Sequence, residues 1–256
     1  MLSGNGGLPV ALAHVDFLSR SLQKHVAFNA ILPDHQDRPG PYPVFYLLHG
    51  LSDDYTAWMR WSNIERYVRE LPLIVVMPDG DRSFYCDVHQ GPPYEQVIVR
   101  DLIGFVDNYF HTIPKRSGRC IGGLSMGGYG AMKLGLKYPD LFCSIVGHSG
   151  AYAAFRGRRL ADLDPGLQRL VGANKARLEN DPFHLATRLR GKRTPAIRFD
   201  CGTDDFLLDH NRAFAAHLRR LGIAHEYEEF PGGHTWDYWD LHVQEAIKFH
   251  MRHLAG

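Results

Sequence analysis

No stretch of this sequence approaches the roughly 20 consecutive apolar residues needed to cross a bilayer, so it offers no transmembrane helix. Charge of one sign is equally scarce. The 29 Lys and Arg nearly balance 28 Asp and Glu, the formal net charge is +1, and no long run of either sign occurs. Nucleic acid and anionic membrane surfaces call for a basic patch or stripe, so neither partner is expected. The opening MLSGNGGLPVALAH lacks a basic stretch followed by a sustained apolar segment, so no signal peptide is read there and a cytoplasmic protein is expected. Cysteine is sparse and scattered. Cys86, Cys120, Cys143 and Cys201 form no CxxC pair, and the last three lie in or beside apolar runs, where a free thiol packs as a small hydrophobe. The 15 histidines make no HExxH, and neither an EF-hand loop nor zinc-ribbon spacing occurs, so no metal or other cofactor is expected.

What remains is a composition of 45% hydrophobic and 22% charged residues, ordinary for a globular protein. A length of 256 residues fits one α/β domain over 1–256. QKHVAFNAILP alternates apolar and polar residues as a half-buried strand does. VFYLLHG, LPLIVVMPDG, GRCIGGLS, CSIVGHSG, PAIRFDCGTDD and HEYEEFPGGH come after it as further strands, and most of the later ones are apolar on both faces, as parallel strands covered on both sides are. Helical patterns separate them. SNIERYVRE opens with Ser62 and Glu65 as a capping box. EQVIVRDLIGFVDNYF puts Ile98, Leu102, Phe105 and Tyr109 on one stripe, and DHNRAFAAHLRRLG runs from a candidate Asp209 N-cap to Gly222. After His234, Trp239, Val243, Ile247 and Met251 recur every four residues. The alternation predicts a doubly wound, mostly parallel sheet. Residues 152–194 break it with short helical pieces, Asp164-Pro165 and Asp181-Pro182 each reading as an N-cap with proline in the first turn. Such an excursion is expected to cap the carboxyl edge of the sheet, where open α/β sheets bind ligands.

The chemistry concentrates in IGGLSMGGYGA, residues 121–131. Glycine is costly to order, yet it crowds around Ser125. Gly123-Leu124-Ser125-Met126-Gly127 fits G-x-S-x-G between a strand and a helix, a sharp corner that lifts the serine hydroxyl clear of the sheet. A phosphate-binding P-loop would need lysine and serine or threonine in a register not present here. A serine hydroxyl is a weak nucleophile until a base takes its proton, and in this architecture acid and then histidine follow the serine. His234 lies in the glycine-rich loop PGGHTW before the last helix and is the expected base. Asp200 falls within a strand, while Asp204 and Asp205 lie on the loop after it, and spacing does not choose between those two. The backbone N–H groups of Met126 and of Leu51, in HGLSDD, are the candidate oxyanion donors. His49 reads as a structural hydrogen-bonder. Trp58, Trp61, Tyr85 and Trp236 are candidates for an acyl or aryl pocket, and equally for the core.

With those pieces in place the chain resembles the esterase D group of α/β-hydrolases, which includes S-formylglutathione hydrolases, short-chain acetyl or tributyrin esterases and feruloyl esterases. YLLHGLSDDYTAW, LIVVMPDG, GGLSMGGYGA, CGTDDFLL and GGHTWDYW carry the likeness in that order, over nearly the whole chain. The resemblance implies an α/β-hydrolase fold with a small helical cap, and its G-x-x-D-F-L pattern implies Asp205 as the acid. GLSMGGYGA, MPDGDRSFYCD and RWSNIERYV look closer to the acetyl and feruloyl esterase branch. Leu124 and Tyr129 depart from the GHSMGGHGA-like elbow of S-formylglutathione hydrolases. The expected substrate is a small ester of a short-chain or aromatic acid. Thioester hydrolysis, acyl transfer, a non-catalytic binding role and a homo-oligomer stay open at this point.

Overall fold

Residues 10–33, 39–87, 91–156, 168 and 178–255 are described by a computed structural model. The strands are β1 (Ala11–Ser19), β2 (Lys24–Leu32), β3 (Val44–Leu48), β4 (Ile74–Pro78), β5 (Arg119–Leu124), β6 (Ser144–His148), β7 (Ala196–Gly202) and β8 (Glu226–Phe230). They form one sheet in the order β1-β2-β4-β3-β5-β6-β7-β8. β2 is antiparallel to both β1 and β4, and every pairing from β4 to β8 is parallel. This is the α/β-hydrolase fold. β1 answers to a strand that the sequence pattern did not single out.

The central strands are buried end to end because helices cover both faces. On one face Tyr46, Leu48, Val76, Ile121 and Ile145 pack against α4 (Ile103–Tyr109), α5 (Met126–Lys137) and α7 (Leu208–Leu221). On the other, Phe45, Leu47, Val75, Cys120 and Leu124 meet α1 (Ala57–Trp61), α2 (Ile64–Val68) and α8 (Trp236–His253). α6 (Pro182–Arg188) packs on α5 and α7. Uninterrupted apolar runs such as VFYLL thus serve two cores by pointing alternate residues to opposite sides.

Several local expectations change. The stripe through Ile98 and Leu102 is buried, but Tyr109 at its end is 74% exposed. The cause is a π-helical turn over Val97–Leu102, between α3 (Tyr94–Gln96) and α4, which rotates α4 out of the 3.6-residue register. Ser62 forms no capping box. From the C-terminal end of α1 its Oγ donates back to the Trp58 carbonyl in that helix's first turn, and α2 begins after Asn63, whose backbone N–H donates to Asp240 at 2.7 Å. Asp209 sits in the first turn of α7 rather than at its cap, whereas Gly222 ends that helix in the left-handed region at φ 69°. Asp181 does cap α6, accepting from the Phe183 N–H at 2.9 Å with Pro182 next in the chain. Asp164-Pro165 and the cap's middle, residues 157–167 and 169–177, lie outside the described residues.

Candidate active site

The strand-to-helix corner after β5 holds Ser125 at φ 53° and ψ −113°. A non-glycine residue there is strained, at a cost of about 1–3 kcal/mol. Its neighbours hold it. The Ser125 N–H donates to the His148 carbonyl at 2.9 Å, and its own carbonyl accepts from Tyr129 N–H at 3.0 Å. The flanking glycines are steric necessities. A Cβ on Gly127 would sit 2.5 Å from the Leu48 carbonyl oxygen and 2.6 Å from that of His49, and one on Gly123 would sit 2.6 Å from Leu48 O. Backbone cannot move aside as a flexible side chain can, so strand β3 and helix α5 approach only without those carbons.

His234, on the loop between β8 and α8, places Nε2 3.0 Å from Ser125 Oγ. Its Nδ1 lies 2.9 and 3.0 Å from the two carboxylate oxygens of Asp205. Asp205 is 4% exposed, whereas Asp204 faces solvent. Burial opposes ionisation of Asp205. Hydrogen bonds from His234, the Leu207 N–H and Ser149 outweigh it and hold the carboxyl below its ordinary value. Two aromatic rings flank the imidazole: Phe206, 75% exposed, at 4.5 Å and the edge of Trp239 at 4.8 Å. Trp239 also donates its indole N–H to Ser149 Oγ at 3.1 Å. Neither Phe206 nor Ser149 was read from the sequence, although Phe206 stands inside the DFL motif and Ser149 in GHSG.

Asp200, correctly assigned to a strand, belongs to a second buried pair. Its carboxylate meets His148 Nδ1 at 2.9 and 3.0 Å and accepts from Tyr238 O–H at 3.0 Å. That pair joins the ends of β6 and β7 beneath the site, next to Ser149.

The loop after β3 runs against the serine: a Cβ on Gly50 would lie 3.9 Å from Ser125 Cβ and 2.8 Å from the Leu124 side chain. His49 is buried and fixes this loop. Nδ1 faces the Gly50 carbonyl at 2.7 Å and must donate, while Nε2 accepts the Gly80 N–H at 2.8 Å, so the ring is the neutral Nδ1–H tautomer. Gly50 O and Leu51 N–H share one trans peptide and point opposite ways. Pinning the carbonyl therefore sets the direction of the Leu51 N–H. Met126 is the first residue of α5, where helix N–H groups have no partner within the helix.

The aromatic candidates separate. Tyr85 is fully buried; its hydroxyl donates to His49 O at 3.0 Å and its ring fills the space opposite Gly130. Trp58, 1% exposed, donates to Leu48 O at 3.1 Å. Both are core residues that support the end of β3 and the loop after it, not walls of an open pocket. Trp236 is half-buried and joins Trp58 and Trp239 edge-on at 5.1 and 5.5 Å. Trp61 is 57% exposed on the surface.

The Esterase family model, described as "Putative esterase", matches residues 19–250. The chain belongs to this Esterase family. An acetyl esterase from Caldicellulosiruptor saccharolyticus is 33% identical across 94% of this esterase and 98% of its own length. Two Staphylococcus aureus structures are each 32% identical over 94% of the chain. They are the serine hydrolase FphF with substrate bound (98% of that chain, TM-score 0.86) and the S-formylglutathione hydrolase FrmB (99%, TM-score 0.83). A ferulic acid esterase structure is 25% identical over 97% of this chain and all of its own, with a TM-score of 0.83. The esterase is accordingly a carboxylic ester hydrolase of the serine type. Among its described residues, no helix is long and apolar enough to span a membrane, and no group of His, Cys, Asp and Glu could hold a metal ion.

Proposed function

We propose that this esterase hydrolyses short-chain acyl or aromatic-acyl esters through an acyl-enzyme on Ser125. The observation that carries the reading is the unbroken line of hydrogen bonds from Ser125 Oγ through His234 to the buried carboxylate of Asp205. Ser125 Oγ attacks the ester carbonyl as His234 Nε2 takes its proton, and Asp205 orients the imidazole and stabilises the cation that forms. The Leu51 and Met126 N–H groups receive the oxyanion, each worth about 3–4 kcal/mol in the transition state. His234 then protonates the departing alcohol. Water, deprotonated by His234, attacks the acyl-enzyme and releases the acid. The likeness to an acetyl esterase and to a ferulic acid esterase supports both acyl classes. The likeness to FrmB supports a second reading, hydrolysis of the S-formylglutathione thioester.

Turnover of p-nitrophenyl acetate tests the core of the proposal. Ser125→Ala and His234→Ala should each lower kcat by roughly 10⁴–10⁶. Wild-type protein as inert as Ser125→Ala across a panel of esters would sink it. Comparing kcat/KM for acetyl, butyryl and feruloyl esters beside S-formylglutathione then decides the acyl class.

A further inference from the structure

Strand β1, ALAHVDFLS, turns Leu12, His14, Asp16 and Leu18 to solvent and Ala13, Val15, Phe17 and Ser19 toward the core. It is the terminal strand of the sheet, and among the described residues its outer edge pairs with no other strand. Proteins blunt such edges with lysine, proline, a bulge or brevity, because unpaired N–H and C=O groups invite another strand. This edge runs nine residues with no proline, glycine or lysine. Leu12 and Leu18 are 52% and 57% exposed, an apolar display that a lone monomer gains nothing from.

The order of these residues is self-complementary, and we propose that β1 pairs antiparallel with β1 of a second copy about a two-fold axis at Val15. That register sets Leu12 opposite the partner's Leu18 and His14 opposite the partner's Asp16, and the same again across the axis. On the core side, Ala13 meets the partner's Phe17. Neighbouring registers fail. Moving the axis to His14 opposes two histidines, moving it to Asp16 opposes two carboxylates, and a one-residue slip turns the apolar set to the wrong face. His14 Nε2 already meets Asp16 within one copy at 3.2 Å while Nδ1 meets Asn29 Oδ1 at 3.2 Å, so pairing gathers two imidazoles and two carboxylates into one cluster of alternating charge. A groove of about 500 Å³ lies beside the same edge, lined in part by Phe17, Leu18, Phe105 and the 74% exposed Tyr109. The register brings the partner's Ala11 opposite Ser19, alongside it. An isologous contact of this kind closes at two copies.

Charge exchange tests this without touching the catalytic residues. Wild-type protein is expected to sediment as a dimer. A His14→Lys/Asp16→Lys variant opposes lysine to lysine, and His14→Asp opposes carboxylate to carboxylate. Each should be monomeric where wild type is dimeric, with the dissociation constant raised about tenfold or more. Mixed together, the two variants should form a heterodimer, a rescue that no role within one copy can produce. Leu12→Lys/Leu18→Lys should also yield monomers, with p-nitrophenyl acetate turnover per chain unchanged in every variant as the check on folding. A wild type that stays monomeric at high micromolar concentration overturns the proposal. So do variants that dimerise as wild type does, or a mixture that remains monomeric.

Discussion

At the scale of single residues, two neighbouring aspartates differ only in which way they face. Asp205 is buried against His234 and Ser149, while Asp204 is exposed one residue earlier. Asp205→Asn should therefore lower kcat by roughly 10⁴ and Asp204→Asn by no more than a few-fold, measured on one ester. Collapse of the second variant alone would reverse the assignment of the acid. Tyr85 sets a subtler case. Its hydroxyl holds the His49 carbonyl, one peptide before the proposed Leu51 donor, and the ring is needed for packing. Tyr85→Phe keeps the ring and removes one hydrogen bond of about 0.5–1.5 kcal/mol, so kcat should fall roughly three- to tenfold with KM little changed. A rise in KM at constant kcat would instead make Tyr85 a binding residue. Ser125 and His234 were legible from sequence because a strand–turn–helix corner and a fixed chain order constrain them. Tyr85 and Trp58 were not, because an aromatic ring suits a core and a pocket equally. What decides is the glycine that the ring packs against, here Gly130 and Gly80 around Tyr85, and that contact is tertiary. Phe206 escaped for a similar reason: its neighbour His234 is distant in sequence.

At the scale of elements, the elbow and the loop before α3 are both strained and both held from outside. Gly127→Ala forces a carbon against two backbone carbonyls, so it should destabilise the fold by about 1–3 kcal/mol and reduce kcat, read by thermal melting and ester turnover. The loop carries positive φ at Asp81, Phe84 and Tyr85. Beneath it, Lys133 of α5 is fully buried, donating to the Tyr85 carbonyl at 2.6 Å and to Glu95 at 2.5 Å. Burial resists ionisation of Glu95, but Lys133, Lys137 and Tyr138 together pull its pKa from 4.5 down to about 2. Because the folded value lies below the unfolded one, the carboxylate's contribution to stability is complete above about pH 4.5 and disappears as pH falls through about 2. Glu95→Gln should therefore flatten the loss of stability across that window. At neutral pH it should cost about 3–5 kcal/mol, since Lys133 is left buried without its partner. An unchanged acid transition would remove this pair from the account. Most of the parallel strands were readable because they are apolar on both faces, β8 with its three glutamates being the exception. Strand β1 was missed because its alternation is weak, with alanines on the inner side and leucines on the outer. The helix from Tyr94 to Tyr109 was read correctly at its start and wrongly at its end, since a π-helical turn leaves no mark in an apolar periodicity.

At the scale of the whole molecule, the four cysteines report how the fold opens. Cys86 lies in the strained loop, Cys120 in β5, Cys143 just before β6 and Cys201 in β7. All are free, none is more than 6% exposed, and burial raises the pKa of every one. Thiolate is the reactive form, so a disulfide-exchange reagent should label none of them in the native protein within minutes and all four in denaturant. Native labelling then measures opening rather than intrinsic reactivity. Cys120 and Cys201 sit on strands paired on both sides, so they should be labelled only through global unfolding and at a common rate. Cys86 shares that rate only while the Glu95–Lys133 pair anchors its loop through the Tyr85 carbonyl. In Glu95→Gln, Cys86 labelling should accelerate beyond what the global loss of stability explains, leaving Cys120 and Cys201 together. Mass spectrometry of time-resolved labelling distinguishes the sites. Acceleration of all four in step would mean that the ion pair stabilises the molecule as a single unit and gives the loop no anchorage of its own.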